Sequence, residues 1–356
     1  MSLDYTKKKI AKDRLRFFIY EISISFIFIF LLMIVVWGLL TFIVNIDSIF
    51  FGPLFYLIRA LMTFFAIPLV LLLSSKFLLG SESRNTILEQ DISPYIGHLR
   101  LYKITKNNYK YQIIDGILIF FLVFLPIDFL TYILIPEMIE YQASALSLYA
   151  QNSYLLLDNY FLFLISVIII QISISISEET ICRGLLTKRG SEHFHKMSAV
   201  IISSLYFGLC SFTYYFEPFS RFYPFWFPFI WFLEAFIIGL ILSLILLRKK
   251  WILPAIFAHA LNNIISIHTI WNFLQGNEFI VVLLYLYLPL LIISCIIFIW
   301  QLPRIRKSLS LGFKTFKTYF KNEDLVPESN SNKFFRMFID LLIAILAFLM
   351  SFLITI

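Results

Sequence analysis

The segment ISISISEETICRGLL, which begins at Ile172, contains three charged residues in a long apolar run. A charge near the middle of a membrane helix costs about 2.5 to 3.5 kcal/mol on insertion scales, so each one requires a partner or a function. Glu179 and Arg183 are four residues apart with the acid first, which favours an ion pair on one helix face. Glu178 points about 100° away from this pair. We therefore expect Glu178 to be available as a general base supported by Glu179 and Arg183; the alternative is that both acids only neutralise the arginine.

A second polar cluster lies in a later apolar segment, AIFAHALNNIISIH. His259 and Asn263 are four residues apart and share a helix face. Counting inward from the nearest basic loops, at 1.5 Å per residue, places His259 about 12 Å and Glu178 about 15 Å below the same membrane face. The matched depths predict that both clusters line one cavity. The alternative is a core histidine that is hydrogen-bonded to a neighbouring serine.

Other polar residues in or near the apolar segments carry weaker signals. Asp115, Asp128 and Glu234 have no patterned companion, and we expect them to stabilise the helix bundle. His193 and His195 lie in a basic loop and are expected to be solvated. The sequence has no HExxH spacing and no close cluster of three ligands, so we predict neither a metal site nor another cofactor. Three residues without C-x-x-C spacing are interpreted as small apolar side chains: Cys182, Cys210 and Cys295.

The composition indicates a membrane protein, because 60% of the 356 residues are hydrophobic and only 14% are charged. A helix of about 20 apolar residues spans the hydrocarbon core and satisfies its own backbone hydrogen bonds there. The sequence therefore predicts an all-α, polytopic bundle of about nine transmembrane helices, or eight if the seventh and eighth form a re-entrant pair. The predicted spans are 17–44, 54–79, 111–136, 154–186, 197–216, 225–247, 251–271, 279–300 and 337–356. The ISISIS alternation favours a strand in isolation, but an open strand does not persist in lipid, so we expect one helix continuing to about Thr187.

Lys and Arg concentrate in alternate connections, as expected for cytoplasmic loops. Basic clusters precede the first predicted span and follow the second, fourth, sixth and eighth, whereas the other connections contain only Arg221, with Arg59 just inside the second span. We therefore predict a multi-pass protein of the cell membrane with a cytoplasmic amino terminus. The polar stretches 80–110 and 307–333 should lie in the cytoplasm. The net charge of +7 is explained by this topology and by contact with lipid head groups, and it does not indicate nucleic-acid binding.

These patterns divide the chain into three predicted parts. Residues 1–150 contain the first three helices and a basic loop, and residues 151–275 form a core that carries both polar clusters. Residues 276–356 contain the last helices and a second basic loop.

Three motifs, in this order on separate apolar helices, resemble those of the CAAX protease and bacteriocin-processing (CPBP, also called ABI) family of intramembrane peptidases. They are EETICRG, LYFGLCS and AHALNN, compared with a family pattern of EExxxR, FxxxH and HxxxN or HxxxD. The resemblance covers about residues 168–267. Phe207 matches the second motif, but Ser211 occupies the position of the family histidine.

The resemblance implies a peptidase in which a glutamate and the second-motif histidine together activate water against a peptide carbonyl. The histidine and asparagine of the third motif then stabilise the developing oxyanion. Carried over to this sequence, Glu178 is the base, His259 and Asn263 are the oxyanion donors, and the first-motif pair is the support: Glu179 and Arg183.

Ser211 leaves the activity open, because a serine can orient water but cannot take up its proton at neutral pH. The first interpretation is an intramembrane endopeptidase that uses glutamate-activated water to hydrolyse a peptide bond in or near the membrane, either slowly or with another group in place of the histidine. The second is a catalytically impaired relative that acts as a membrane scaffold, regulator or bacteriocin-immunity protein. The third is a transporter, which leaves the spaced motifs unexplained.

The expected partners are membrane lipids and a peptide or membrane-protein substrate or partner. The abundance of Ile, Phe, Lys, Asn and Tyr indicates A/T-rich codons and therefore a bacterial cytoplasmic membrane. A prenylated substrate would be less common in that setting.

Overall fold

The computed structural model describes residues 3–75, 93–147, 149–215, 223–321 and 329–355. Within these ranges the regular structure is entirely helical, which confirms the all-α prediction. Nine helices in the described ranges have the length and apolar composition to cross a membrane, as predicted. The seventh and eighth have 22 and 40 residues, so each is long enough to cross alone, and a re-entrant pair is not required.

The membrane helices are numbered in chain order. They are α1 (Lys7–Ile43), α2 (Phe51–Leu73), α3 (Tyr109–Leu134), α4 (Tyr160–His193), α5 (Lys196–Thr213), α6 (Trp226–Lys249), α7 (Leu253–Leu274), α8 (Phe279–Thr318) and α9 (Asn330–Phe352). Shorter helical segments connect or extend them: Pro94–Leu99, Arg100–Tyr102, Glu137–Ser147, Ala150–Leu156 and Cys210–Tyr215. Four membrane helices contain a π-helical segment: Phe18–Ser23, Phe120–Phe124, Thr180–Arg189 and Leu283–Tyr287.

The helix ends differ from the predicted spans where polar sequence continues a helix beyond the apolar run. Helical structure leads into α1 from Leu3, fourteen residues earlier than predicted, and α8 continues through part of the stretch that was predicted to be a polar loop. α4 begins at Tyr160 because the side chain of Asn159 accepts hydrogen bonds from the first free backbone N–H groups, at 3.0 and 3.1 Å. Part of the predicted pattern lies outside the described residues: 76–92, Phe216, Arg221, 322–328 and Ile356.

The three helices that carry the motifs, α4, α5 and α7, are each surrounded by other helices. α7 packs against α3 and α4, α4 packs against α2, and α5 packs against α6 and α9. Small residues allow the close approach of α5 and α6, because a Cβ added at Gly239 would lie 3.2 Å from the Cα of Ser204. The packing therefore brings the three motifs to one place in the bundle.

The last helix, α9, is tied to the rest of the bundle by a buried polar network. Asp340 accepts a charge-assisted bond from Nε of Arg14 on α1 at 2.5 Å and another from the hydroxyl of Tyr319 at 3.0 Å. Arg14 also donates to Ser198 of α5 at 2.9 Å. Asp340 and Arg14 are buried, so this paired charge cluster fixes α9 against α1 and α5.

Candidate active site

Helix α4 changes from α-helical to π-helical winding at Thr180, inside the EETICRG motif. Short π-helical segments in α-helices frequently occur at functional sites, because the wider turn shifts side chains out of the regular register. The ISISIS run is helical, as predicted, and the helix continues to His193 rather than ending at Thr187.

Glu179 and Arg183 form the ion pair that their spacing predicted. Nε of Arg183 lies 3.1 Å from Oε2 of Glu179, and both side chains are fully buried. The guanidinium carbon lies 4.6 Å from the centre of the Phe207 ring, which is a cation–π distance. Phe207 of the second motif therefore packs against Arg183 of the first motif.

His259 contacts the same buried carboxylate from helix α7. Its Nδ1 lies 2.9 Å from Oε1 of Glu179, so the residue bonds to an acid and not to a neighbouring serine. Its ring stacks on Phe124 at a centroid distance of 5.5 Å and meets Phe207 edge-on at 5.7 Å. Glu179 thus bridges Arg183 and His259, and two aromatic rings fix the orientation of the imidazole.

Glu178 occupies a different environment from its neighbour. Its side chain is 37% exposed, and its Oε2 lies 3.6 Å from Nε2 of His259. Because Glu179 is paired with Arg183 and accepts from the imidazole, Nδ1 is the nitrogen that carries the proton in neutral His259. Nε2 then faces Glu178. One carboxylate of the motif is therefore buried and neutralised, and the other is open to solvent.

The exposed side of this cluster lines a cavity of about 700 Å³. The predicted site residues on its wall are Glu178, Phe207, Ser211, His259 and Asn263. Glu179 and Arg183 lie behind that wall, fully buried. The structure thus brings together all three motifs, and Ser211, buried at 6% exposure, faces the cavity where the resemblance implies a histidine.

The cavity extends from the motifs toward the connection between α3 and α4. That connection contributes six lining residues, namely Gln142, Leu146, Tyr149, Gln151, Asn152 and Tyr154. In the predicted topology this connection lies on the membrane face opposite the basic loops.

The weaker acidic candidates have partners of their own. Asp128 accepts from the hydroxyl of Ser266 at 3.0 Å and from that of Tyr287 at 2.9 Å, and Asp115 pairs with Lys249 at 2.9 Å. These contacts join helices, consistent with the expected structural roles. Glu234 lines the cavity, and no hydrogen bond or ion pair joins these two described residues, Glu234 and His259. No group of three His, Cys, Asp or Glu side chains in the described residues is arranged to hold a metal ion.

The prediction that His193 is solvated is wrong. Its Nε2 lies 2.8 Å from Oε1 of Glu21, which also receives a bond from Arg189 at 2.7 Å. The buried carboxylate of α1 thus attracts both groups from the end of α4. His195 caps α5, with its Nδ1 accepting from the backbone N–H of Met197 at 3.2 Å.

Sequence reasoning missed several contacts of the site. The Glu179–His259 bond and the stacking of Phe124 join residues 80 and 135 positions apart, and no local spacing indicates such pairs. The close approach of His98 to Gly184 was also missed. A Cβ at position 184 would lie only 2.5 Å from Cε1 of His98. The glycine after Arg183 therefore admits a histidine ring from the helix Pro94–Leu99 against the motif.

Burial gives His98 a pH-dependent effect on stability. Desolvation lowers the pKa of this histidine from 6.5 to about 4. Between about pH 4 and pH 6.5, the unfolded chain therefore binds a proton at His98 that the folded chain does not bind. The free energy of unfolding has its full value above about pH 6.5 and falls as the pH decreases toward 4. We expect the free energy of unfolding to be about 2 kcal/mol lower at pH 5 than at pH 7.5. Unfolding curves in detergent check this; an equal pH dependence in His98→Leu would contradict it.

One family model matches the chain, over residues 160–265, and it is described as type II CAAX prenyl endopeptidase Rce1-like. The matched segment is less than a third of the chain and contains all three motifs. It agrees with the resemblance found in the sequence, and this segment is therefore similar to CAAX-type intramembrane proteases. No curated protein and no solved structure matches the chain.

Proposed function

We propose that this chain is an intramembrane endopeptidase in which Glu178 activates water against a peptide carbonyl. The observation that carries the proposal is the pairing of one exposed carboxylate with a fixed imidazole, 3.6 Å apart, on the wall of one cavity. The match of residues 160–265 to a peptidase family supports the same conclusion.

The proposed reaction proceeds by direct attack of water. Glu178 takes a proton from a water in the cavity, the hydroxide adds to the carbonyl carbon, and the carbon–nitrogen bond breaks as Glu178 passes that proton to the amine. His259 and Asn263 stabilise the oxyanion. Donation from Nε2 of His259 requires a ring that carries protons on both nitrogens, with Nδ1 bonded to Glu179.

A second candidate function rests on Ser211. The cavity wall and the buried ion pair persist although the family histidine is replaced, and this combination also fits a relative that binds a peptide or membrane protein without cleaving it. Such a protein would act as a scaffold, a regulator or a bacteriocin-immunity protein. For either function we propose a bacterial cytoplasmic membrane, with peptides entering the cavity from the face opposite the basic loops.

The reaction is tested by purifying the chain in lipid nanodiscs and incubating it with a library of apolar peptides in H₂¹⁸O. The peptidase function predicts new carboxyl termini that each contain one ¹⁸O atom, detected by mass spectrometry. Peptides that bind but are never cleaved would reject it and favour the scaffold function.

Ser211→His restores the family pattern in the second motif. Because a positioned acid or base contributes about 10² to 10⁴ to a rate, we expect a rise in hydrolysis of at least tenfold. Lys196→His in the same helix is the control, since Lys196 is exposed and does not line the cavity. Initial rates of peptide cleavage provide the measurement. An unchanged rate in a stable Ser211→His protein would mean that the cavity has been adapted to another role.

A further inference from the structure

Arg59 is a cation within a membrane helix that the proposed mechanism does not use. It lies eight residues from Phe51, the first residue of α2, or about 12 Å into the helix. A guanidinium at such a depth is costly and normally faces a partner or a polar cavity. Arg59 lines the same cavity as Glu178 and His259.

The neighbouring polar side chains of this cavity bond to one another. The hydroxyl of Tyr56 donates to Asn152 at 3.1 Å, and that of Tyr132 donates to Gln142 at 2.7 Å. Arg59, in contrast, makes no hydrogen bond or ion pair with any of the residues that the structure describes. A guanidinium has five N–H donors in a planar fork, so most of its bonding capacity remains available here.

The position of Arg59 relative to the site makes it relevant to substrate. Arg59 and Glu178 both interact electrostatically with Tyr56 and with Cys210, so their charges act in the same part of the cavity. No hydrogen bond or ion pair joins Arg59 to Glu178 in the described structure, and Glu178 lies instead 3.6 Å from Nε2 of His259. A cation that has no described partner and lies in the same cavity as the proposed base can hold an anionic group of a peptide near that base.

We propose that Arg59 binds a carboxylate of the peptide that occupies the cavity. A guanidinium binds a carboxylate through two parallel hydrogen bonds, which would fix the position of the chain relative to Glu178. The carboxylate belongs either to the carboxyl terminus of the peptide or to an acidic side chain. The proposal rests on the proposed function in that the occupant is a peptide, but it concerns binding and not cleavage.

The test measures binding to Glu178→Gln protein in nanodiscs of zwitterionic lipid, so that cleavage is not required. Three N-dansyl peptides share one apolar sequence: the first has a free terminal carboxylate, the second a terminal amide, and the third a terminal amide with one internal Asp. We expect a peptide with a carboxylate to bind at least tenfold more tightly than the second peptide. The first and third peptides distinguish the terminal from the side-chain carboxylate.

Substitutions of Arg59 test whether the tighter binding of peptides with a carboxylate depends on this residue. Arg59→Gln should remove it, Arg59→Lys should retain part of it, and Arg306→Gln, which removes an exposed arginine of α8, should leave it intact. Equal binding of all three peptides, or a preference that survives Arg59→Gln, would overturn the proposal. Arg59-dependent retention of phosphatidylglycerol without any peptide preference would also overturn it and assign the residue to lipid.

The two proposals fail separately. A carboxylate preference in a protein that never hydrolyses a peptide supports the Arg59 site and rejects the peptidase. Hydrolysis of all three peptides with equal affinity supports the peptidase and rejects the Arg59 site.

Discussion

Glu178→Gln should reduce peptide hydrolysis by about 10² to 10⁴, because the amide keeps the shape of the side chain but cannot accept a proton from water. The exposed carboxylate lies 3.6 Å from Nε2 of His259, where an activated water would meet the substrate carbonyl. The loss should fall on kcat, since binding of the peptide does not require the charge of this base. Cleavage rates in nanodiscs, measured over a range of peptide concentrations, provide the test.

Glu234→Gln is the matched control. Glu234 is also an acid within a membrane helix and lines the same cavity, but in the described structure it forms no hydrogen bond or ion pair with His259. We expect its substitution to change the rate less than threefold. Equal losses in the two variants would show that the charge of the cavity matters and not the position of one base. Full activity of a well-folded Glu178→Gln protein would exclude catalysis at this site.

Arg183→Ala should lower the free energy of unfolding by about 3 to 5 kcal/mol, the usual cost of removing one partner of a buried ion pair. Glu179 would remain fully buried with only His259 as a partner, and Phe207 would lose the cation that covers its ring. Arg183→Lys retains the charge but lacks the planar fork, so we expect it to recover only part of the loss. Denaturant unfolding in mixed micelles gives the measurement.

Lys188→Ala provides the comparison from the same helix. Lys188 pairs with Glu192 at the same four-residue spacing, but the two side chains are 24% and 25% exposed. A solvated pair contributes about 0 to 1 kcal/mol, so this substitution should have little effect on stability. A similar loss in both variants would mean that burial does not determine the importance of the motif pair.

The membrane architecture follows from the sequence because it depends on local properties. Apolar length and backbone hydrogen bonding in lipid determine that each segment is a helix, and nine such helices are present in the described ranges. The four-residue spacing of Glu179 and Arg183 was likewise sufficient to predict their ion pair. Helix ends were less predictable, since side-chain capping at Asn159 and the polar extensions of α1 and α8 do not depend on apolar length.

Tertiary packing decided how the site is connected. From the sequence, Arg183 was the only predicted partner of Glu179. The packing of α7 against α4 adds His259, whose Nδ1 bonds to the same carboxylate. Packing likewise turned His193 toward the buried Glu21 of α1 and left Arg59 on the wall of the cavity without a described partner. These relations join residues that are distant along the chain, and only the crossing of whole helices brings such residues within bonding distance. The sequence by itself thus determined which side chains enter the membrane, and the tertiary structure determined which of them meet.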